Sequence, residues 1–233
     1  MEKSFLRSNY KKIIFHLLEN DYVPRLFGSS EREGSNVYIR HDVDLSLSDA
    51  LEFAKIESDI GVQSNFFFQL NAETYNIWKK ENLKILADIS AKGHLIGLHV
   101  DELVFGHDEE KIKSTIDWFS HNIFPISHVF SFHRPSQRAI DTSFKNIVSC
   151  YSEDVFNYDS YCSDAARNTA FFEKLDLLIK SKVPLIQFLT HPGWWVESSD
   201  EDIYRTILNR RHGDVEEYLK FNFKKVFGGF DSG

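Results

Sequence analysis

A chain of 233 residues, 42% hydrophobic and 27% charged, has room for one large domain with a substantial core, and its 11 Gly and 5 Pro exclude collagen-like or linker-like character. Lys and Arg number 27 against 35 Asp and Glu, and the resulting net charge of −8 repels nucleic-acid backbones and anionic membranes. Arg205, Arg210 and Arg211 come nearest to a basic patch, but Asp214, Glu216 and Glu217 beside them make a solvated helix face. No stretch approaches the roughly 20 apolar residues of a membrane span. Neither a nucleic-acid partner nor membrane insertion is therefore expected. Cys150 and Cys162 allow one disulfide at most, and the early apolar run is broken by His16 and followed by acids, unlike a signal peptide. The expectation is a cytoplasmic protein.

No internal repeat, low-complexity tract or Gly/Ser linker divides the chain, so 1–233 reads as a single domain. Phe5 to Asn20 reads as a helix with Tyr10, Ile13, Ile14, Leu17 and Leu18 on one face. Asn36 to Arg40 reads as a strand running into His41-Asp42-Val43-Asp44, followed by a helix over 48–60 and a strand over 65–68. Tyr75 to Ala91 reads as helical with Gly93 as its C-terminal cap, and His94 to His99 as a buried strand. A helix over 111–119, strands over 129–132 and 185–189, and a closing helix over 202–219 complete the pattern. Strands alternating with helices predict a parallel sheet in an α/β layer fold or barrel.

Polar residues gather where the apolar strands end: Asp42 and Asp44, His99, His133-Arg134, and His191. In parallel α/β folds this edge carries the chemistry. Asp42 and Asp44 lie two apart, so in extended chain both carboxylates face one side, where they repel unless a cation or proton separates them. The plainer alternative is a helix N-cap plus a loop acid. His41 points the other way and reads as a core histidine. His99 joins the two aspartates as a plausible ligand for a divalent metal, because zinc accepts imidazole and carboxylate together. Arg134 is costly to bury without a carboxylate, and Asp42 is its natural partner. His191 suits a general acid, and Trp194 and Trp195 behind it suit stacking on a sugar ring or, alternatively, ordinary core packing.

These segments resemble the NodB-type polysaccharide deacetylases, carbohydrate esterase family four. His41-Asp42-Val43-Asp44 matches the family's first motif, Gly93 to His99 its second, Arg134-Pro135 its third and Leu189-Thr190-His191 its fifth, over most of the chain from Val37 to Trp195. The resemblance implies a deformed (β/α) barrel of about seven parallel strands and a catalytic divalent metal, most simply zinc. Two departures stand out. The first motif is Asp-Val-Asp, as in divergent branches of the family, and the usual second metal histidine, four residues beyond His99, is Leu103. His133 is preferred over Asp101 as its replacement, and Asp159 or Asp164 is a candidate for the fourth-motif acid.

The implied activity is metal-dependent removal of an acetyl group, N-acetyl before O-acetyl, from a sugar or sugar-containing precursor in polysaccharide metabolism. Asp44, His99 and His133 would hold the metal. Asp42 would act as base with Arg134 orienting it, and His191 would protonate the leaving amine. Two alternatives belong to other classes: a sugar-binding protein on the same fold that has lost catalysis, and an amidase acting on a non-sugar C–N bond.

Overall fold

The computed structural model describes residues 2–226. The elements are α1 (Arg7–Glu19), β1 (Tyr22–Pro24), β2 (Ser35–Val43), α2 (Leu47–Ile60), β3 (Asn65–Phe68), α3 (Lys80–Ser90), β4 (Leu95–Asp101), α4 (Glu102–Phe105), α5 (Glu109–Asn122), β5 (Val129–His133), α6 (Gln137–Asp141), β6 (Val148–Ser149), β7 (Tyr161–Ser163), α7 (Ala170–Lys180), β8 (Leu185–Thr190) and α8 (Ile203–Phe223). Short 3₁₀ turns follow β7 and β8, at Ala165–Arg167 and Pro192–Trp194.

Seven strands pair in the order β6-β5-β4-β3-β2-β8-β7, and β1 pairs with β2 off that path. Every pairing is parallel. β1 covers Ser35–Val37 of β2 and β3 covers Arg40–Val43, so the two share one edge while β8 takes the other. The sheet curls into an open half-barrel. Gln187 of β8 reaches across to the carbonyls of Cys150 and Val155, and Arg40 of β2 reaches Tyr151, residues that follow the far strand β6. This is the deformed barrel of about seven parallel strands that the motifs imply.

Strand alternation sorts the side chains. Val37, Ile39 and Val43 of β2, with Phe66, Phe68, Ile186 and Phe188, pack outward against α1, α2 and α7. Leu98, Val100, Phe130 and Phe132 pack outward with Ile112 and Ile116 of α5. The inner face carries Tyr38 and Phe67 deep in the curl, with Val129 and Cys150. Gly97 permits this close approach: a Cβ there would stand 2.4 Å from the Val129 carbonyl and 2.7 Å from the Phe67 ring.

Three differences from the sequence expectations have physical reasons. The helix expected from Tyr75 starts at Lys80, because the Tyr75 hydroxyl donates to the Val43 carbonyl and accepts from the Gln69 amide, tying that segment to the end of β2. Gly93 does not cap α3, whose cap residue is Ala91. It turns the chain into β4 with φ +86°, where a side chain would strike Gln63. β1, β6, β7 and α7 are additional elements. Cys150 and Cys162 are both free and buried. Among the described residues no helix is long and apolar enough to cross a membrane.

His41 lies in the core, as alternation requires. Its Nδ1 meets Thr190 Oγ1 at 2.7 Å and its Nε2 meets Glu57 Oε1 at 2.9 Å. Tyr10 (2.5 Å) and Ser64 (2.6 Å) also donate to Glu57, all within a fully buried network. Burial works against the Glu57 charge, but His41, His94 and the Ser64 hydroxyl hold its pKa below the usual carboxylate value. Glu57→Ala leaves three buried polar groups without their acceptor and is expected to cost about 3–5 kcal/mol in urea unfolding. A loss below about 1 kcal/mol would show the network to be dispensable.

Candidate metal and catalytic site

The C-terminal ends of β2, β4, β5 and β8 bring five of the expected residues together. Asp42 lies near the end of β2 and Asp44 just beyond it, His99 lies near the end of β4, His133 is the last residue of β5 and His191 follows β8. His99 Nε2 stands 3.1 Å from Asp44 Oδ1 and 3.7 Å from Asp42 Oδ2. His133 Nε2 lies 3.9 Å and His191 Nε2 3.8 Å from Asp44 Oδ2. Asp44, His99 and His133 each offer one ligand atom within 4.8 Å of the others. Bonds of about 2.0–2.1 Å to a tetrahedral zinc place ligand atoms about 3.3 Å apart, so the 3.1 and 3.9 Å separations suit a shared cation.

The orientation of these donors is fixed from behind. His99 Nδ1 contacts Ser131 Oγ at 2.7 Å, which turns Nε2 toward the aspartates. Gln69 donates to Asp44 Oδ1 at 2.6 Å, and Thr74 donates to the Asp44 backbone carbonyl at 2.6 Å. Burial raises the Asp44 pKa, but the hydrogen bond to His99 and the neighbouring imidazoles outweigh it and keep the carboxyl ionised. The His133 pKa is lowered too, but by burial, which disfavours the imidazolium, and a neutral ring is the form a metal requires. Leu103, where the resemblance expects a histidine, is 96% exposed. The Asp101 carboxylate instead caps α4, accepting from the Leu103 amide at 2.9 Å.

The expected pairing of Arg134 with Asp42 does not occur. Arg40, fully buried on the inner face of β2, grips Asp42 with two contacts: Nε to Oδ1 at 2.9 Å and a terminal nitrogen to Oδ2 at 2.7 Å. The rule that sets Asp42 and Asp44 on one side sets Arg40 there too, so this partner was readable two residues upstream. Burial pushes the Asp42 pKa up, and Arg40 pulls it down further, leaving it below the ordinary value. Arg134 is exposed. The chain turns at that residue with φ +52°, which lets both His133 and Arg134 line the cavity although they are adjacent.

His191 is held by Asp164, which follows β7. Its Nδ1 lies 2.6 Å from Asp164 Oδ1, and its backbone amide also donates to that carboxylate. Burial opposes the imidazolium, but Asp164 dominates and lifts the His191 pKa to about 9. Of the two acids considered for the fourth motif, Asp164 lies beside His191. The two tryptophans part company. Trp195 is only 1% exposed, packs on Phe5 and Tyr10 and donates to Asp164 Oδ2 at 2.7 Å, so it is closed to a sugar. Trp194 is half-buried and lines the cavity 6.3 Å from the His191 ring. That cavity, about 340 Å³, is lined by Tyr151, Tyr161 and Leu189 together with Asp42 and Asp44. Four of its residues, Ile140, Tyr151, Phe156 and Tyr158, also line a groove of about 730 Å³.

No protein-family model matches the chain, and no curated protein does. Solved structures do. A peptidoglycan deacetylase of Bdellovibrio bacteriovorus is 16% identical at a TM-score of 0.47, covering 82% of this chain and 54% of its own length. The chitin deacetylase of Colletotrichum lindemuthianum is 13% identical at 0.47, over 82% of this chain and 86% of the other. A family-four pseudoenzyme of Bacillus anthracis is 15% identical at 0.42, over 81% and 63%. This chain thus spans about half the length of the first of them. Two of these three similar structures are deacetylases and the third is a pseudoenzyme.

Proposed function

We propose that this chain is a metal-dependent hydrolase that removes an acetyl group, N-acetyl in preference to O-acetyl, from a sugar or sugar-containing precursor in polysaccharide metabolism. The observation that supports this most is the convergence of Asp44, His99 and His133 from three strand ends beside an arginine-bound carboxylate and an acid-bound histidine. A divalent cation held by those three residues, zinc by the chemistry of the donors, supplies Lewis acidity toward the acetyl carbonyl and the attacking water.

The chain's own residues handle the protons. Asp42, ionised by Arg40, takes one proton from the water as its oxygen attacks the acetyl carbon. His191 carries a proton at neutral pH and gives it to the sugar nitrogen as the C–N bond breaks, so the amine leaves neutral and the acyl group leaves as acetic acid, which ionises to acetate by releasing the remaining water proton. Trp194 offers a stacking face beside His191, and the adjoining groove has room for more than one sugar unit. The reading of an inactive sugar-binding relative rests on the histidine missing at Leu103, and the approach of His133 to Asp44 favours catalysis over it.

Acetate and free amine measured together on a panel of N-acetylated and O-acetylated sugars and simple non-sugar amides test this reading. One amine per acetate from the N-acetylated sugars is expected. Turnover confined to the non-sugar amides would replace it with the amidase reading. The histidine supplies a pH test. Its acid form persists up to about pH 9 because of Asp164, so Asp164→Asn is expected to move the alkaline limb of the pH–rate profile downward, toward the ordinary 6.5. An unmoved alkaline limb would remove His191 from the role of acid.

A further inference from the structure

Two carboxylates flank the same nitrogen of His99, Asp44 at 3.1 Å and Asp42 at 3.7 Å, and only Asp42 is held by an arginine. Arg40 contacts both Asp42 oxygens, and Ser131 Oγ adds a contact of 3.2 Å to Oδ1. The guanidinium is itself immobilised. It donates to Tyr151 Oη at 2.8 Å and to Gln187 Oε1 at 3.2 Å, and lies 4.8 Å from the centre of the Tyr151 ring. Gln187 cannot flip to present its nitrogen, because that nitrogen donates to the Cys150 carbonyl at 2.7 Å. The curled sheet thus builds a complete cage around one buried cation, and the cation's two-point grip sets the plane of one carboxylate.

We propose that Arg40 is the positioning residue that divides the labour of the two aspartates, holding Asp42 out of the metal's coordination sphere so that it remains a base. This rests on the reading of Asp44, His99 and His133 as a metal site. A carboxylate so close to a metal-ligating imidazole is within a small rotation of becoming a further ligand, and a coordinated carboxylate no longer has that electron pair free for a proton. Each Asp42 oxygen gives one lone pair to Arg40, so rotation toward the cation breaks two charge-assisted hydrogen bonds in a buried site. Asp44 is held by one neutral donor, Gln69 at 2.6 Å on Oδ1, with no arginine across both oxygens, and is left able to coordinate. The position matching the family's third-motif arginine, Arg134, is correspondingly released to the rim of the cavity.

Cobalt(II) titrated into the protein and followed by visible absorption tests this without recourse to turnover. In wild type the spectrum reports the ligand set without Asp42, so Asp42→Asn is expected to leave it unchanged. Arg40→Met frees Asp42 to coordinate. Its cobalt spectrum should shift and weaken as the coordination number rises, and its affinity should tighten about tenfold, since a carboxylate joins and a cation leaves. The double variant Arg40→Met/Asp42→Asn should return to the wild-type spectrum. Arg40→Lys, which keeps the buried charge but not the two-point grip, should shift in the same direction and guards against failure of Arg40→Met to fold. A wild-type spectrum in both Arg40 variants, or a changed one in Asp42→Asn, would overturn the proposal. Protein that shows these spectra but releases no acetate would sink the deacetylase reading alone, and protein that takes up no cobalt would sink both.

Discussion

Asp44→Ala is expected to strip the protein of its metal, whereas Asp42→Asn keeps the metal and loses turnover by about 10²–10⁴-fold. Among the described residues Asp44 is the only carboxylate within reach of His99, His133 and His191 together, at 3.1, 3.9 and 3.8 Å. Its removal takes away the one anionic ligand, a larger loss than the roughly 10–100-fold in affinity that follows removal of an outer partner. Asp42 is spoken for by Arg40, and the amide of Asn fills the same space while giving up the capacity to accept a proton. It also leaves a buried arginine without its counter-charge, so the variant should melt lower than wild type even while it retains metal. Elemental analysis after desalting separates the two cases. Equal metal loss in both variants would make the division between ligand and base wrong.

His133→Ala should weaken metal binding about as much as His99→Ala, and Asp101→Ala should bind nearly as wild type does. The two histidines approach Asp44 from neighbouring strands, with ring centres 5.2 Å apart, and each removal deletes one nitrogen donor. Asp101 points elsewhere, into the first turn of α4, so its loss costs an N-cap of about 1 kcal/mol and no ligand. Metal titration into the three variants reads this directly. A crippled Asp101→Ala beside an unaffected His133→Ala would transfer the ligand role to Asp101.

The strands that carry the chemistry were legible because each is an apolar run ending in Asp, His or both, and those interruptions mark one edge of a parallel sheet. β1, β6 and β7 were not, being two or three residues long and too short for any period. α7 carried the signal, with Phe171, Phe172, Leu175, Leu178 and Ile179 at helical spacing, but no polar landmark drew attention to it. The partners of the site residues were the harder part. Alternation sets Arg40 on the face of Asp42, but the groups that hold it there, Tyr151 and Gln187, come around it only through the curl of the sheet. Asp164 meets His191 only because β7 pairs with β8, Ser163 opposite Leu189, a long-range registration that local pattern does not encode. Trp195 is decided by the same closure: its indole nitrogen turns inward to Asp164, while its neighbour Trp194 stays at the cavity.

The most direct test of the account is acetate release from an N-acetylated sugar oligomer by chelator-stripped protein before and after zinc is restored. Stripped protein should be silent, and one equivalent of zinc should restore acetate with an equal quantity of new amine, in wild type but not in Asp44→Ala. Zinc-independent release, or none from a protein shown to hold one zinc, would contradict it.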